Sequence, residues 1–153
     1  MKTIPTFLLA ACFIGSQAKA QQEANPMLAN AQTFIDVPYV AHTLETDGEE
    51  DLVINCDEVD CTTFVEYVLA LSLPSASGNK MSESDFAANL QRIRYREGKI
   101  DGYTSRLHYT SDWINNGVRG GFMEDVTAAN SPYTQKLSLS YMSSHPKLYK
   151  HLS

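Results

Sequence analysis

The chain has 153 residues, 43% of them apolar and 20% charged, with a formal net charge of −6. That length and balance fit one ordinary globular domain. The acidic balance argues against nucleic acid as a partner, because that needs a broad basic surface.

Residues 1–20 read as a signal peptide and not as part of the fold. Lys2 gives a positive start, Ile4 to Ile14 is mainly apolar, and Ala18-Lys19-Ala20 has the small-x-small form of a cleavage site. The apolar run is too short to span a bilayer. A second route competes: Leu9-Ala10-Ala11-Cys12 resembles a lipoprotein signal, which would leave a lipid anchor on Cys12. The first route predicts a periplasmic or secreted protein, the second an outer-membrane lipoprotein. Cleavage leaves residues 21–153 as the domain, and the loss of Lys2 and Lys19 takes the formal charge from −6 to −8.

The mature chain opens on a polar stretch with Pro26, leading into a short helix. Pro38 breaks any helix before it and restricts Val37. Tyr39 and Val40 then belong either to a packing turn or to a wall beside Cys61. Residues 43–50 form an acidic turn around Asp47-Gly48. Leu52-Val53-Ile54 reads as a short strand. Phe64, Val65, Val68, Leu69 and Leu71 give the next segment a broad apolar face, so a central buried helix is expected from Cys61 to before Pro74. Ser82 with Asp85 resembles a capping box, and Phe86, Leu90 and Ile93 mark one face of a second helix.

Residues 92–106 hold Arg92, Arg94, Arg96, Lys99 and Arg106, five of the chain's 12 basic residues. They form either a solvated face or a patch that receives carboxylates. Residues 98–103 read as a turn and short strand, and 106–109 as an extended segment. A brief helix follows from Asp112, ended by Asn116-Gly117. Residues 122–126 are a weak strand candidate. Residues 134–141 alternate cleanly and are the strongest strand candidate. Ser143 or Ser144 is expected to cap a last helix with Pro146 in its first turn.

Cys61 carries the chemistry of interest. It follows Asp60 at the start of the apolar helix, where unpaired backbone N–H groups favour thiolate, the form that attacks carbonyls. A cysteine hydrolase also needs a base, a group that orients it, and oxyanion donors. Of the four histidines, His108 stands out, with Arg106, Tyr109, Asp112 and Trp113 around it. A buried structural thiol is the competing reading of Cys61, as is a short-loop disulfide with Cys56. The histidines show no HExxH pattern and the cysteine spacing is not that of a zinc knuckle, so no metal or other cofactor is indicated.

Three segments resemble a known family. They are Val37-Pro38-Tyr39-Val40, Asp60-Cys61-Thr62-Thr63-Phe64-Val65-Glu66, and Arg92 to Arg96 continuing through Ser105-Arg106-Leu107-His108-Tyr109-Thr110-Ser111-Asp112-Trp113. Met142-Ser143-Ser144-His145-Pro146 also fits. The segments resemble the N-acetylmuramoyl-L-alanine amidase-like proteins, secreted cell-wall hydrolases of the NlpC-type papain-like cysteine peptidases. The resemblance implies an α+β fold, with a helical first half, short strands and a C-terminal sheet. It implies Cys61 as the nucleophile. The implied substrate is peptidoglycan or muropeptides, cut at the amide between N-acetylmuramic acid and L-alanine or at a nearby wall-peptide amide.

Tyr39, Asp60, Arg94, Arg106, Tyr109, Asp112 and Trp113 form the candidate substrate-binding set, and Glu66 is expected to support or pack. In the family the catalytic histidine lies on a later strand, in a Ser/Gly-His-Val-Gly-like segment that is not found here. Either the sheet half is missing from a truncated chain, which is the expectation, or His108 is the base. A non-catalytic wall-binding protein or inactive remnant is the alternative to an amidase.

Overall fold

The computed structural model describes residues 25–76, 78, 80–127, 135–136, 138 and 140–147. Five α-helices are present among them: α1 (Pro26–Gln32), α2 (Cys61–Ser72), α3 (Glu83–Arg94), α4 (Thr110–Arg119) and α5 (Tyr141–Ser144). Two 3₁₀ turns, Arg96–Gly98 and Tyr103–Ser105, lie between α3 and α4. Local chemistry fixes the first three starts. Asn25 accepts from the Met27 and Leu28 N–H groups, with Pro26 in the first turn. Asp60 and Thr63 form a capping box on α2, and Ser82 and Asp85 form one on α3.

Helix α2 is the hub, with α1 packed on one side and α3 on another. Tyr67 and Ala70 of α2 meet Leu90 and Ile93 of α3, and Val59 closes the core ahead of α2. Phe34 stacks on Tyr67 and meets Phe64 edge-on, while Phe86 tilts against Tyr67 from α3. Leu90 and Ile93 are fully buried, so Leu90→Ala is worth about 2–5 kcal/mol in lost transfer energy and cavity.

A buried ion pair ties the same two helices together. Glu66 Oε2 accepts from Arg94 Nε at 2.8 Å, and both side chains are at most 2% exposed. The Arg94 guanidinium also donates to the Val53 carbonyl and lies over the Tyr67 ring. Burial raises the Glu66 carboxyl above its ordinary value, and the Arg94 charge opposes that rise. The peptide that carries Arg94 sets the next segment, because the Leu107 N–H donates to the Arg94 carbonyl at 3.0 Å.

The α+β papain-like expectation is corrected here. Among the described residues the fold is helical and there is no sheet; extended pairing is confined to isolated bridges, a parallel one at Tyr39–Val59 and an antiparallel one at Tyr95–Arg106. The expected strands fail because their backbone groups are satisfied elsewhere. Val53 gives its carbonyl to Arg94, and Asn55 gives its N–H to the Tyr67 hydroxyl. Of the 98–103 segment, Gly98 closes the first 3₁₀ turn and Tyr103 opens the second, with Gly102 at φ +67° just before it. Phe122 and Met123 both donate to the Gly117 carbonyl and fold back on α4. Of the 134–141 strand, residues 134, 137 and 139 lie outside the described residues; 135, 136, 138 and 140 are not strand, and Tyr141 opens a helix.

One helix end and one helix start also differ. Helix α4 runs through Asn116-Gly117 and does not stop there. The Asn116 side chain donates to the Arg92 carbonyl and accepts from the Glu97 N–H, and a Cβ on Gly117 would sit 2.5 Å from Met123 Sδ. That glycine serves close packing and is no terminator. Helix α5 lies ahead of the last helix expected after Ser143 or Ser144: residues 145–147 are coil and turn, and the rest of that expected helix lies outside the described residues.

Removing one partner of the buried pair should show its cost. Arg94→Met leaves Glu66 buried and unpaired, and is expected to lower stability by about 3–5 kcal/mol in urea unfolding. Adding Glu66→Leu should recover most of that loss. A single variant as stable as the parent would contradict the pair's place in the fold.

Candidate active site

Cys61 is the first residue of α2, and its side chain is exposed. Asp60 sets this position. Its carboxylate accepts from the Thr62 N–H at 2.9 Å, the Thr63 N–H at 2.8 Å and the Thr63 hydroxyl at 3.0 Å. The Thr63 hydroxyl in turn accepts from the Asp60 N–H at 2.8 Å. The acid is therefore occupied as a cap, and its charge is directed at the helix start. Among the described residues no acceptor meets the Cys61 N–H. Cys56 and Cys61 are both free thiols, so the disulfide is not formed. Partial burial pushes the Cys56 thiol up, and the Asp57 carboxylate adds to that.

A cleft of about 240 Å³ lies at the start of α2. Cys61, Thr62 and Val65 form one wall, while Leu107, His108, Thr110 and Trp113 form the other. His108 is half-buried, and its Nε2 lies 3.1 Å from the Tyr103 carbonyl. A carbonyl can only accept, so Nε2 carries the proton and Nδ1 is the acceptor nitrogen of the neutral ring. Burial lowers the His108 pKa below its ordinary 6.5; the Tyr103 hydrogen bond opposes that and the Arg106 charge reinforces it.

His108 also lines a second cleft of about 270 Å³, with Arg96, Arg106, Tyr109, Asp112 and Ser143 among its walls. Asp112 takes both Arg96 amino groups, at 3.0 and 2.8 Å. A third and larger space, about 470 Å³, lies between the acidic 43–50 turn and residues 100–103. Its walls carry Glu45, Glu49, Glu50 and Arg106 but no cysteine or histidine, so size does not mark the reactive place.

The expected set is thus divided by the fold. Cys61, His108 and Trp113 share one cleft, and Arg106, Tyr109 and Asp112 share the adjoining one. Tyr39 is 69% exposed and sits beside Val59 just ahead of Cys61, outside the walls of either cleft. Asp60 is a cap. Arg94 is 1% exposed and spent on Glu66 and Val53, so it offers no carboxylate site. Arg106 is 6% exposed and held by Glu45 at 2.9 Å and Glu50 at 3.2 Å. Sequence reasoning missed Thr62, Val65, Leu107 and Thr110 as cleft walls. Only their nearness to Cys61 and His108 in the chain could have marked them.

The arrangement is that of a helical domain built around a thiol-bearing cleft. The chain belongs to the AmiA-like, N-acetylmuramoyl-L-alanine amidase-like family, whose model matches residues 29–153. It is similar to a crystal structure of an N-acetylmuramoyl-L-alanine amidase from Bacteroides uniformis, at 69% identity over 86% of this chain and 55% of that one, with a TM-score of 0.77. A second crystal structure of an amidase so named from that organism gives 70% identity over 84% and 54%, with a TM-score of 0.76. A Bacteroides fragilis protein provisionally described as a xylanase gives 71% identity over 80% and 53%, with a TM-score of 0.73. The chain spans about half the length of these solved structures. Among curated proteins no match is found.

Two outcomes follow from this geometry. Asp60→Ala should cost about 1–2 kcal/mol in urea unfolding by removing the cap, and an unchanged midpoint would contradict the cap. The lowered His108 pKa makes the unfolded chain bind the extra proton between that value and 6.5. Stability from neutral His108 is then complete above 6.5 and is lost as pH falls through the folded value. His108→Gln should flatten the fall in stability as pH drops below 6.5; an equal slope in parent and variant would contradict burial of the ring.

Proposed function

We propose that this chain is the thiol-bearing part of a secreted peptidoglycan hydrolase, cutting the amide between N-acetylmuramic acid and L-alanine or a nearby wall-peptide amide. The observation that carries the reading is the shared cleft of Cys61 and His108. Family membership and the amidases named among the solved structures supply the substrate class. The signal-like residues 1–20 support export to the periplasm or beyond, and a lipid on Cys12 is the alternative form of that export. Among the described residues no helix is long and apolar enough to cross a membrane.

In this reading Nδ1 of His108 takes the Cys61 thiol proton, and the thiolate attacks the amide carbonyl carbon. The Cys61 N–H and a polar cleft neighbour, the Thr62 or Thr110 hydroxyl, receive the oxyanion. The C–N bond breaks as His108 returns the proton to the leaving amine. Water, deprotonated by His108, then attacks the thioester and frees the Cys61 sulfur. Val65, Leu107 and Trp113 give the cleft an apolar lining.

A glycosidase reading, prompted by the xylanase description of one solved structure, needs two available carboxylates across a sugar. The two acids nearest Cys61 in the helix do not offer that: Asp60 caps α2 and Glu66 is sealed against Arg94. The test is digestion of purified muropeptides, with products read by mass spectrometry. The parent is expected to release free peptide, and Cys61→Ala to lose at least about 10³-fold in rate. Equal products from both, or none from either, would remove catalysis by Cys61 in this chain and leave a wall-binding role. Full activity in His108→Gln beside an inactive Cys61→Ala would place the base outside this cleft.

A further inference from the structure

The second cleft, of about 270 Å³, adjoins the thiol cleft at His108 and holds a charge pair whose outer edge is unused. Asp112 stands on the first turn of α4, and Arg96 opens the 3₁₀ turn that follows α3. The buried Asn116 side chain of α4 fixes these elements together, accepting from the Glu97 N–H at 2.9 Å and donating to the Arg92 carbonyl at 3.3 Å. Both Arg96 amino groups donate to the Asp112 carboxylate, one to each oxygen, at 3.0 and 2.8 Å. Among the described residues neither side chain has another hydrogen-bond partner, and 45% of Arg96 and 33% of Asp112 stay exposed. A two-pronged fork of this kind leaves, at its flank, a free N–H beside a free carboxylate lone pair. That flank is a donor next to an acceptor, with no net charge. A primary carboxamide carries the complementary pair, a carbonyl oxygen beside an NH₂ group, and can bond both. A carboxylate carries acceptors alone and would lie against the Asp112 charge. The other charges nearby do not reverse this: Arg106 on the same cleft is held by Glu45 and Glu50, and Glu97 adds negative charge at Arg96.

We propose that the outer edge of the Arg96–Asp112 fork binds a primary carboxamide, so that the cleft beside the thiol takes a wall peptide with an amidated carboxyl in preference to the free acid. The proposal rests on the hydrolase reading for the source of the ligand, and not on which group acts as base. The fork discriminates because each partner leaves something unmet with the wrong ligand: a free acid gives the Asp112 lone pair no donor and sets two like charges together. The pair is already formed before ligand arrives, so little ordering of the two side chains is left to the binding step.

The test uses the full chain carrying Cys61→Ala, which removes the proposed nucleophile, and two probes that differ in one group: N-acetylmuramoyl-L-alanyl-D-isoglutamine and its free acid, N-acetylmuramoyl-L-alanyl-D-glutamate. Titrations followed in proton–nitrogen amide spectra are expected to move the Thr104 and Asp112 N–H signals and to show about tenfold tighter binding of the amidated probe. Arg96→Gln and Asp112→Asn alter a partly exposed pair, so both should stay folded. Arg96→Gln should remove the preference. Asp112→Asn should bring the free acid up to at least the affinity of the amide, because the like charge is gone. No binding of either probe, equal or tighter binding of the free acid to the Cys61→Ala chain, or an unchanged preference in the folded Arg96→Gln and Asp112→Asn variants would overturn the proposal. The expected preference, with no peptide released from either probe by the parent, would instead overturn the hydrolase reading and leave the carboxamide site standing.

Discussion

The ion pair of Glu66 and Arg94 is the constraint on which the cleft depends. Glu66 lies on the helix that Cys61 opens, and Arg94 ends the helix packed against it. From Arg94 the chain is held at once: its carbonyl takes the Leu107 N–H, and Leu107 and His108 form the wall facing Cys61. A short series of fixed contacts therefore runs from thiol to imidazole. The pair is expensive to bury, and much of its worth lies in specifying one arrangement of two helices and a loop. A leucine and a methionine could fill the same space, but they would not fix the loop through a guanidinium bonded to the Val53 carbonyl.

The same economy governs the basic segment. Five cations within residues 92–106 invite the picture of an anion-receiving face. Most of them instead brace the fold. Arg94 and Arg106 are buried on carboxylates, Arg96 is clamped by Asp112, and Arg92 reaches the Gly120 carbonyl and the Phe122 ring. The acidic 43–50 turn, which looks like simple solvent surface, supplies Glu45 and Glu50 to hold Arg106. Charge in this protein is spent on tying irregular segments to helices, in place of the ladders that a sheet would provide.

The legible parts of the sequence were those with local causes. Asp60, Thr63, Ser82 and Asp85 announce helix starts through short-range capping, and Phe86, Leu90 and Ile93 announce a buried face through their period. The strands were misread because apolar runs of three to five residues do not record where their backbone groups will bond. At Val53 and Asn55 the partners are Arg94 and Tyr67, 41 and 12 residues away. Gly117 misled for a related reason: a glycine demanded by Met123 looks like a glycine that ends a helix. For the site, Cys61 and His108 were named from chemistry and local context, and the fold put them on one cleft. The burial of Arg94 was not legible, because its long-range partners Glu66 and Val53 leave no sequence signal.

The covalent intermediate proposed on Cys61 is open to a direct test. Acid-quenched turnover of a wall fragment, followed by peptide mapping of the trapped adduct, tests it most directly. One acyl group is expected on the peptide that contains Cys61, carried on its sulfur and lost on further incubation, with Cys56 unmodified. Hydrolysis that continues with no adduct on Cys61, or at the parent rate after Cys61 has been alkylated, would contradict it.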